Sequence, residues 1–318
     1  MLARMRFFSA KAASLALAVV LSLVGCGHEK APELRFSGLI TSKRLTEISG
    51  IAASRRTDGL LWAIDDGGNP AQLHAISRRG RHLGSLNIAG VEKVDWEDLA
   101  SFELDGKPYL MIADTGDNGG IRKTLQLYVI AEPDSETLAQ GGTLTPAWTI
   151  NFRWPDGARD CEAVAVDAAN AQILLVSKKR QPPQLFTLPL HPARGESRKT
   201  ETAALAGTLA GVPQASARER RENPSFARLR SQVTAADIAP QRDAIAVLTY
   251  DNLLIYRRRP QQSWAQALAS APKIIALRFL PQAEAVAWSR GGGGLHVTSE
   301  LSPASLMYLS YARSRAEN

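Results

Sequence analysis

Carboxylates recur at fixed distances from a repeated apolar-alanine pair. Aligning Ile51, Leu99, Val164, Ile238 and Val286, each followed by alanine, puts Glu47, Asp95 and Asp160 four residues before the anchor. The same frame puts Glu97, Glu162 and Glu284 two residues before it. Acids brought together in this way repel one another and demand protons, basic partners or a cation. A hard cation such as Ca²⁺ takes six to eight oxygen ligands, so Glu47, Asp95, Glu97, Asp160, Glu162 and Glu284 are the candidate metal ligands. The competing use of the same side chains is mechanical, as acceptors for backbone amides of neighbouring units.

A second polar set falls a strand later. Asp65-Asp66-Gly67-Gly68-Asn69 and Asp114-Thr115-Gly116-Asp117-Asn118 share one frame, and Lys178-Lys179-Arg180 occupies the corresponding point of the next unit. Asp and Asn beside Gly are what tight turns require. The extra acids and the lysine nevertheless make Asp65, Asp66, Asp114, Asp117, Asn118 and Lys178 a candidate ligand rim, with charges of both signs suited to a phosphate or carboxylate ester.

The elements that must carry these residues are short. From Asp95 to Pro133, apolar runs of four to seven residues alternate with Gly, Asp and Asn, which reads as strands joined by turns. Each anchor is followed by a second run (LLWAIDD, ILLVSKK, AIAVLTYDN, GLHVTSE) and a third (AQLHAIS, PQLFTLPL, NLLIYRR, ASLMYLS). Units of about 40–50 residues with this grammar predict an all-β fold, a single β-propeller. Five blades are expected, with six the alternative if a further unit lies between Val164 and Ile238. Pairing Glu33–Ile40 with the last blade would close the ring and remove its free sheet edges.

The first residues follow a different logic. Arg4, Arg6 and Lys11 precede the apolar run Ala12–Val20, the layout of a secretory signal and too short for a comfortable membrane span. Leu23-Val24-Gly25-Cys26 is similar to the lipobox of bacterial lipoproteins. The resemblance implies a signal peptide over 1–25 and acylation of Cys26 with palmitate-type chains. It also implies a lipidated tether over 26–32 and a propeller over 33–318. With Gly27 after the cysteine, it implies retention at the outer membrane, facing the periplasm.

Three of the seven net positive charges lie in this leader, leaving about +4 for the rest, too weak a bias for a nucleic-acid partner. With Cys26 acylated, Cys161 has no disulfide partner.

From His191 to Ser231 the strand grammar is interrupted by a plausible outer strand (Glu201–Leu209) and an Arg-rich run, Arg218–Arg230, which reads as a solvated insertion or a surface for acidic partners or lipid headgroups. Gly291–Gly294 reads as a turn, since no helix and no Lys-Ser/Thr follow it. Trp148, Trp154 and Trp264 read as packing between blades. The chain has no Gly-x-Ser-x-Gly, His-Glu-x-x-His or Cys-x-x-Cys, and its five histidines show no paired spacing.

With DWEDLA, IADTGDN, LYVIAEP, DCEAVAVD and LLVSKK, the chain resembles exported bacterial β-propeller proteins related to the phytase-like, SdiA-regulated and paraoxonase or gluconolactonase groups. In the hydrolytic groups the central channel binds calcium and acids there activate water. By position, that resemblance points to the same six acids, though the fourth unit carries Thr234 and Ala236 where acids would stand. Two functions are expected. One is a lipid-anchored binding or scaffold propeller for an envelope protein or small ligand. The other is a calcium-dependent esterase, lactonase or phosphohydrolase.

Overall fold

The computed structural model describes residues 34–191 and 199–311; the signal peptide, Cys26 and the tether lie outside them. Strand β1 (Leu34–Ile40) is followed by β2 (Ile48–Ala53), β3 (Leu60–Asp65), β4 (Gln72–Ser77) and β5 (His82–Ile88), which form the first blade. The second blade contains β6 (Trp96–Leu104), β7 (Lys107–Asp114), β8 (Leu125–Ala131) and β10 (Trp148–Arg153). Between β8 and β10, helix α1 (Ser135–Gln140) leads to the two-residue strand β9 (Thr143–Leu144), which pairs back onto β5.

The third blade is β11 (Ala163–Asp167), β12 (Gln172–Val176), β13 (Gln184–Pro189) and β15 (Ala204–Thr208); before β15, the short β14 (Thr200–Thr202) pairs with β10. Helices α2 (Ala217–Glu222) and α3 (Pro224–Leu229) precede the fourth blade. That blade is β16 (Val233–Ile238), β17 (Ala244–Thr249), β18 (Asn252–Arg257) and β19 (Lys273–Ala276), with helix α4 (Trp264–Leu268) before β19. The fifth is β20 (Ala283–Trp288), β21 (Gly294–Ser299) and β22 (Ala304–Ser310), and β1 completes it as its outer strand.

Closure is therefore the one expected from sequence. Leu34 pairs with Leu309 and Ile40 with Ala304, so first and last strands lock the ring. Five blades, not six, fill it, because the long interval before the fourth blade is spent on β14, β15, α2 and α3. The core is correspondingly divided into five apolar clusters, one at each junction between adjacent blades. This explains why inner strands such as β2, β16 and β20 are buried on both faces and read as unbroken apolar or small residues. Where they crowd at the axis, small residues are obligatory: a Cβ on Gly50 would lie 2.6 Å from the backbone nitrogen of Leu99 in the next blade.

Buried acids tie blade to blade. Asp98, fully buried, accepts from the amides of Val164 (2.8 Å) and Ala236 (3.2 Å), joining three blades. Glu132 accepts from Trp62 Nε1 at 2.9 Å, Asp167 from Trp264 Nε1 at 2.8 Å, and Asp237 from the Trp288 amide at 2.7 Å. The mechanical use of acids is thus real, and among the six anchored acids it claims Asp160, which accepts from the Asp117 amide of the second blade at 2.9 Å.

One register differs from the sequence frame. Val286 pairs with Val297, and the residue in the equivalent place of the fourth blade is Ala236, paired with Val247; Ile238 lies two residues further on. All of β16 is buried, so no alternation of polar and apolar residues marks its frame, and the Ile-Ala pair misleads. The other four anchors hold their register. Trp264 starts a helix and does not lie in an outer strand, though it is buried between blades as expected.

An acidic axial mouth

Four of the five inner strands begin with the same irregularity. In β2, β6, β16 and β20 the pairing register slips by one residue after the first pair, leaving Ser49, Glu97, Thr234 and Glu284 unpaired in the ladder. Such bulges bend the strand and re-aim the extra side chain. In the third blade Glu162 stands just before β11, at the same point. A second set of residues lies against the first. The amides of Asp66, Gly116, Lys178 and Glu300 donate to the carbonyls of Glu47 (2.8 Å), Asp95 (3.2 Å), Asp160 (3.3 Å) and Gln282 (3.1 Å). Tyr250 follows β17 at the corresponding point.

These positions enclose a hollow of about 120 Å³ at one end of the axis, lined by Ser49, Glu97, Glu162, Glu284 and, from the second set, Asp66, Lys178, Tyr250 and Glu300, with Asn118 at its edge. Five of the six anchored acids gather at or beside it. Asp66, Asp95 and Glu97 offer oxygens within 4.8 Å of one another, and so do Glu97, Asp160 and Glu162, with Glu97 common to both. Glu47 does not join them; its carboxylate turns to the Asn69 side-chain amide at 3.0 Å.

The two trios are electrostatically different. Lys178 is ion-paired with Glu162, and Lys179 with Asp160 at 3.0 Å, so the second is answered by protein cations. Among the described residues, Asp66, Asp95 and Glu97 form no ion pair. Burial, reinforced by Asp66, pushes Asp95 up to about 7, and burial drives Glu97 well above the usual carboxylate range. Burial also raises Glu284 to about 8 and lifts Glu300. Tyr250 Oη lies 3.3 Å from Glu284 Oε1, whereas Ser49 Oγ, Glu162 Oε2 and Glu284 Oε2 are buried without a hydrogen-bond partner.

Such a cluster is met either by protonation or by a cation, and these residues could hold one. Its carboxylates and hydroxyls offer hard oxygens, Lys178 brings an ammonium group, and no His or Cys is among the lining residues, a donor set that would suit Ca²⁺ better than a transition metal. Gly116 provides the room, since a Cβ there would overlap both Glu97 Oε1 and the Asp95 carboxylate.

The expected rim divides. Asp66, Asn118 and Lys178 line the hollow, but Asp65, Asp114 and Asp117 are drawn behind it. Asp65 accepts from the Thr46 amide at 3.0 Å. Asp114 takes the amides of Val94 and Asp95 and the Arg122 guanidinium at 2.7 Å, and Asp117 takes those of Ile121 and Arg122. Asp114 and Asp117 spend both oxygens on nearby amides and Arg122, whereas Asp65 keeps Oδ1 buried without a hydrogen-bond partner. Ser49, Tyr250 and Glu300 were not among the sequence candidates. The aligned frame contains them: Tyr250 and Glu300 stand one residue past the middle strand of their blades, as Asp66 does in the first. The Arg-rich insertion is largely self-satisfied, with Arg218 on Glu222 and Arg230 on Glu219 and Asp251.

Fold and mouth define the class: a five-bladed propeller with a carboxylate-lined axial opening. No protein-family model matches the chain, and no curated protein matches it. Among solved structures, a luciferin-regenerating enzyme is similar, with 10% identity and a TM-score of 0.44 over 88% of this chain and 96% of that one. At that level of agreement nothing of its chemistry carries over to these residues.

Proposed function

We propose that this propeller is a cell-envelope binding module whose axial mouth holds a divalent cation of the calcium class and, beside it, a small ligand bearing an oxyanion. The observation that carries this reading is the trio Asp66, Asp95 and Glu97: three converging oxygens that form no ion pair among the described residues, next to a trio that has two. A bound cation would take up the charge that burial otherwise forces into protonation. Lys178 and Lys179 supply positive charge on the far side, where an anionic ligand would bridge cation and ammonium groups. Isothermal titration of purified protein with CaCl₂, together with thermal melting in calcium and in chelator, tests the reading. One ion per chain and a melt raised by calcium are expected, since a ligand at 100 times its Kd adds about 2.7 kcal/mol. No heat and identical melts would end it.

The envelope location rests on Cys26. Its lipobox and leader support acylation and attachment to the outer membrane on the periplasmic side. The Cys26→Ser chain is then expected in the soluble fraction, while the natural chain sediments with membranes.

Hydrolysis is the second reading, and Glu284 favours it. A carboxyl with a pKa of about 8, an unpartnered oxygen and a place on the hollow is fitted to exchange protons near neutral pH. Calcium-dependent turnover of esters, lactones or phosphoesters, lost in Glu284→Gln with ion binding retained, would establish it; no turnover across all three classes would leave binding alone.

A further inference from the structure

The end of the propeller opposite the acidic mouth has the other sign. Strand β18 runs away from the mouth and ends at Arg257, followed by Arg258 and Arg259; β19 starts at the same end with Lys273. These four basic residues line one groove with Tyr311, beside the single acid Asp243. Arg257, Arg259 and Lys273 are exposed, and Arg258 Nε reaches the carbonyl of Arg242 at 2.9 Å. The neighbouring hollow is lined by Arg55, the exposed Arg290 and Arg242, with Glu103 beside them and Arg242 ion-paired with Asp167 at 2.7 Å, so a basic excess extends onto this face.

The described chain also begins here. Leu34 pairs with Leu309, two residues before Tyr311, and Leu34, Ile275 and Tyr311 belong to one apolar cluster. Leu34 stands eight residues after Cys26, a stretch that spans at most about 28 Å when fully extended. Phe36 on β1 and Ile274 on β19, 64% and 48% exposed, flank the groove on the adjoining outer strands.

We propose that this face docks on a bilayer containing anionic phospholipid, with Arg259 and Lys273 against headgroup phosphates and the acidic mouth turned away from the membrane. The proposal rests on the anchoring reading for its setting, and the two supports are independent: charge complementarity, and departure of the chain toward Cys26 from the same end. A single-anchor tether leaves orientation free, whereas basic residues near an anionic surface each add attraction that decays within about a Debye length. Together they would hold the mouth open to the periplasm.

The test uses residues 32–318, a compact unit whose ring closes through β1 and whose five core clusters all lie within it. Lacking Cys26, it reports the face and not the anchor, so failure of acylation would not affect the result. Sedimentation with phosphatidylcholine vesicles with and without phosphatidylglycerol is expected to show binding only to the anionic set, weakening with salt. Arg259→Glu with Lys273→Glu is expected to lower that affinity about tenfold or more. Arg218→Glu, on the insertion that leads to the mouth end, is expected to leave it unchanged. Equal binding to both vesicle types, undiminished binding by the double variant, or displacement by inorganic phosphate at matched ionic strength would each overturn the proposal.

Discussion

Gly116, just past β7, lies so close to Glu97 on the neighbouring strand β6 that a methyl group on Gly116 would overlap Glu97 Oε1. The space above Glu97 is thus created by the absence of a side chain. Gly116→Ala is expected to abolish calcium-induced stabilisation while the protein still folds, because its φ lies outside the left-handed region and the adjoining carboxylates can shift outward. Thermal melts in calcium and in chelator should coincide for this variant. A calcium shift as large as in the natural protein would contradict it.

On the proposed cation reading, the lysines set how many cations the mouth takes. With Lys178→Met and Lys179→Met together, the trio Glu97, Asp160 and Glu162 loses both of its ion pairs. Removing one side of a buried pair costs about 3–5 kcal/mol, so a loss of that order is expected in chelator. Calcium should recover much of it, with calorimetric stoichiometry rising from one ion toward two. A stoichiometry still at one, or at zero, would count against this account.

The pH dependence follows from Asp95, Glu97 and Glu284. Their native pKa values lie above the ordinary 3.8 and 4.5, with Asp95 near 7 and Glu284 near 8. Between about pH 4 and 8 the native state therefore holds protons that the unfolded chain has released, and stability falls as pH rises through that window. Asp167, held below its usual range against desolvation by hydrogen bonds from Arg242 and Trp264 and by the Arg242 charge, acts oppositely, but only at more acid pH. In chelator, urea midpoints are expected to drop from pH 5 to pH 8 by the sign of this linkage. Saturating calcium should flatten the drop, since ligands that hold a cation are already deprotonated.

Asp98 serves the ring and not the site. Its carboxyl accepts from the amides of Leu99, Val164 and Ala236, and burial pushes its pKa well above the usual range. Asp98→Ala strands buried amides at about 1–3 kcal/mol each and is expected to lower stability by about 3 kcal/mol or more. Asp98→Asn keeps one acceptor oxygen for the Val164 and Ala236 amides but turns its NH2 toward the Leu99 amide, so it should cost about 1–2 kcal/mol, less than Asp98→Ala. Equal loss in the two variants, read from denaturant melts, would refute the hydrogen-bonding account.

Much of this was legible in the chain. Short apolar runs between Asp-Gly turns determine strands and not helices, and the repeated three-run unit determines blades, because one meander cannot bury both its faces. The partnership of β1 with β22 also follows, since an open ring would leave two bare edges. The repeated positions likewise carry acids and not histidines, so carboxylates gather at the mouth.

What the sequence left open depended on contacts between distant residues. A frame counted along the chain cannot register the bulges that turn Glu97 and Glu284 toward the axis, nor correct Ile238 to Ala236 in a strand buried on both faces. It cannot separate Asp66, which lines the mouth, from Asp65 and Asp114, which satisfy local amides one pleat behind. It also cannot say that Lys178 and Lys179 answer one trio and leave the other unanswered. Those distinctions are set by angstrom-scale distances among five blades, and only ring closure brings those side chains together.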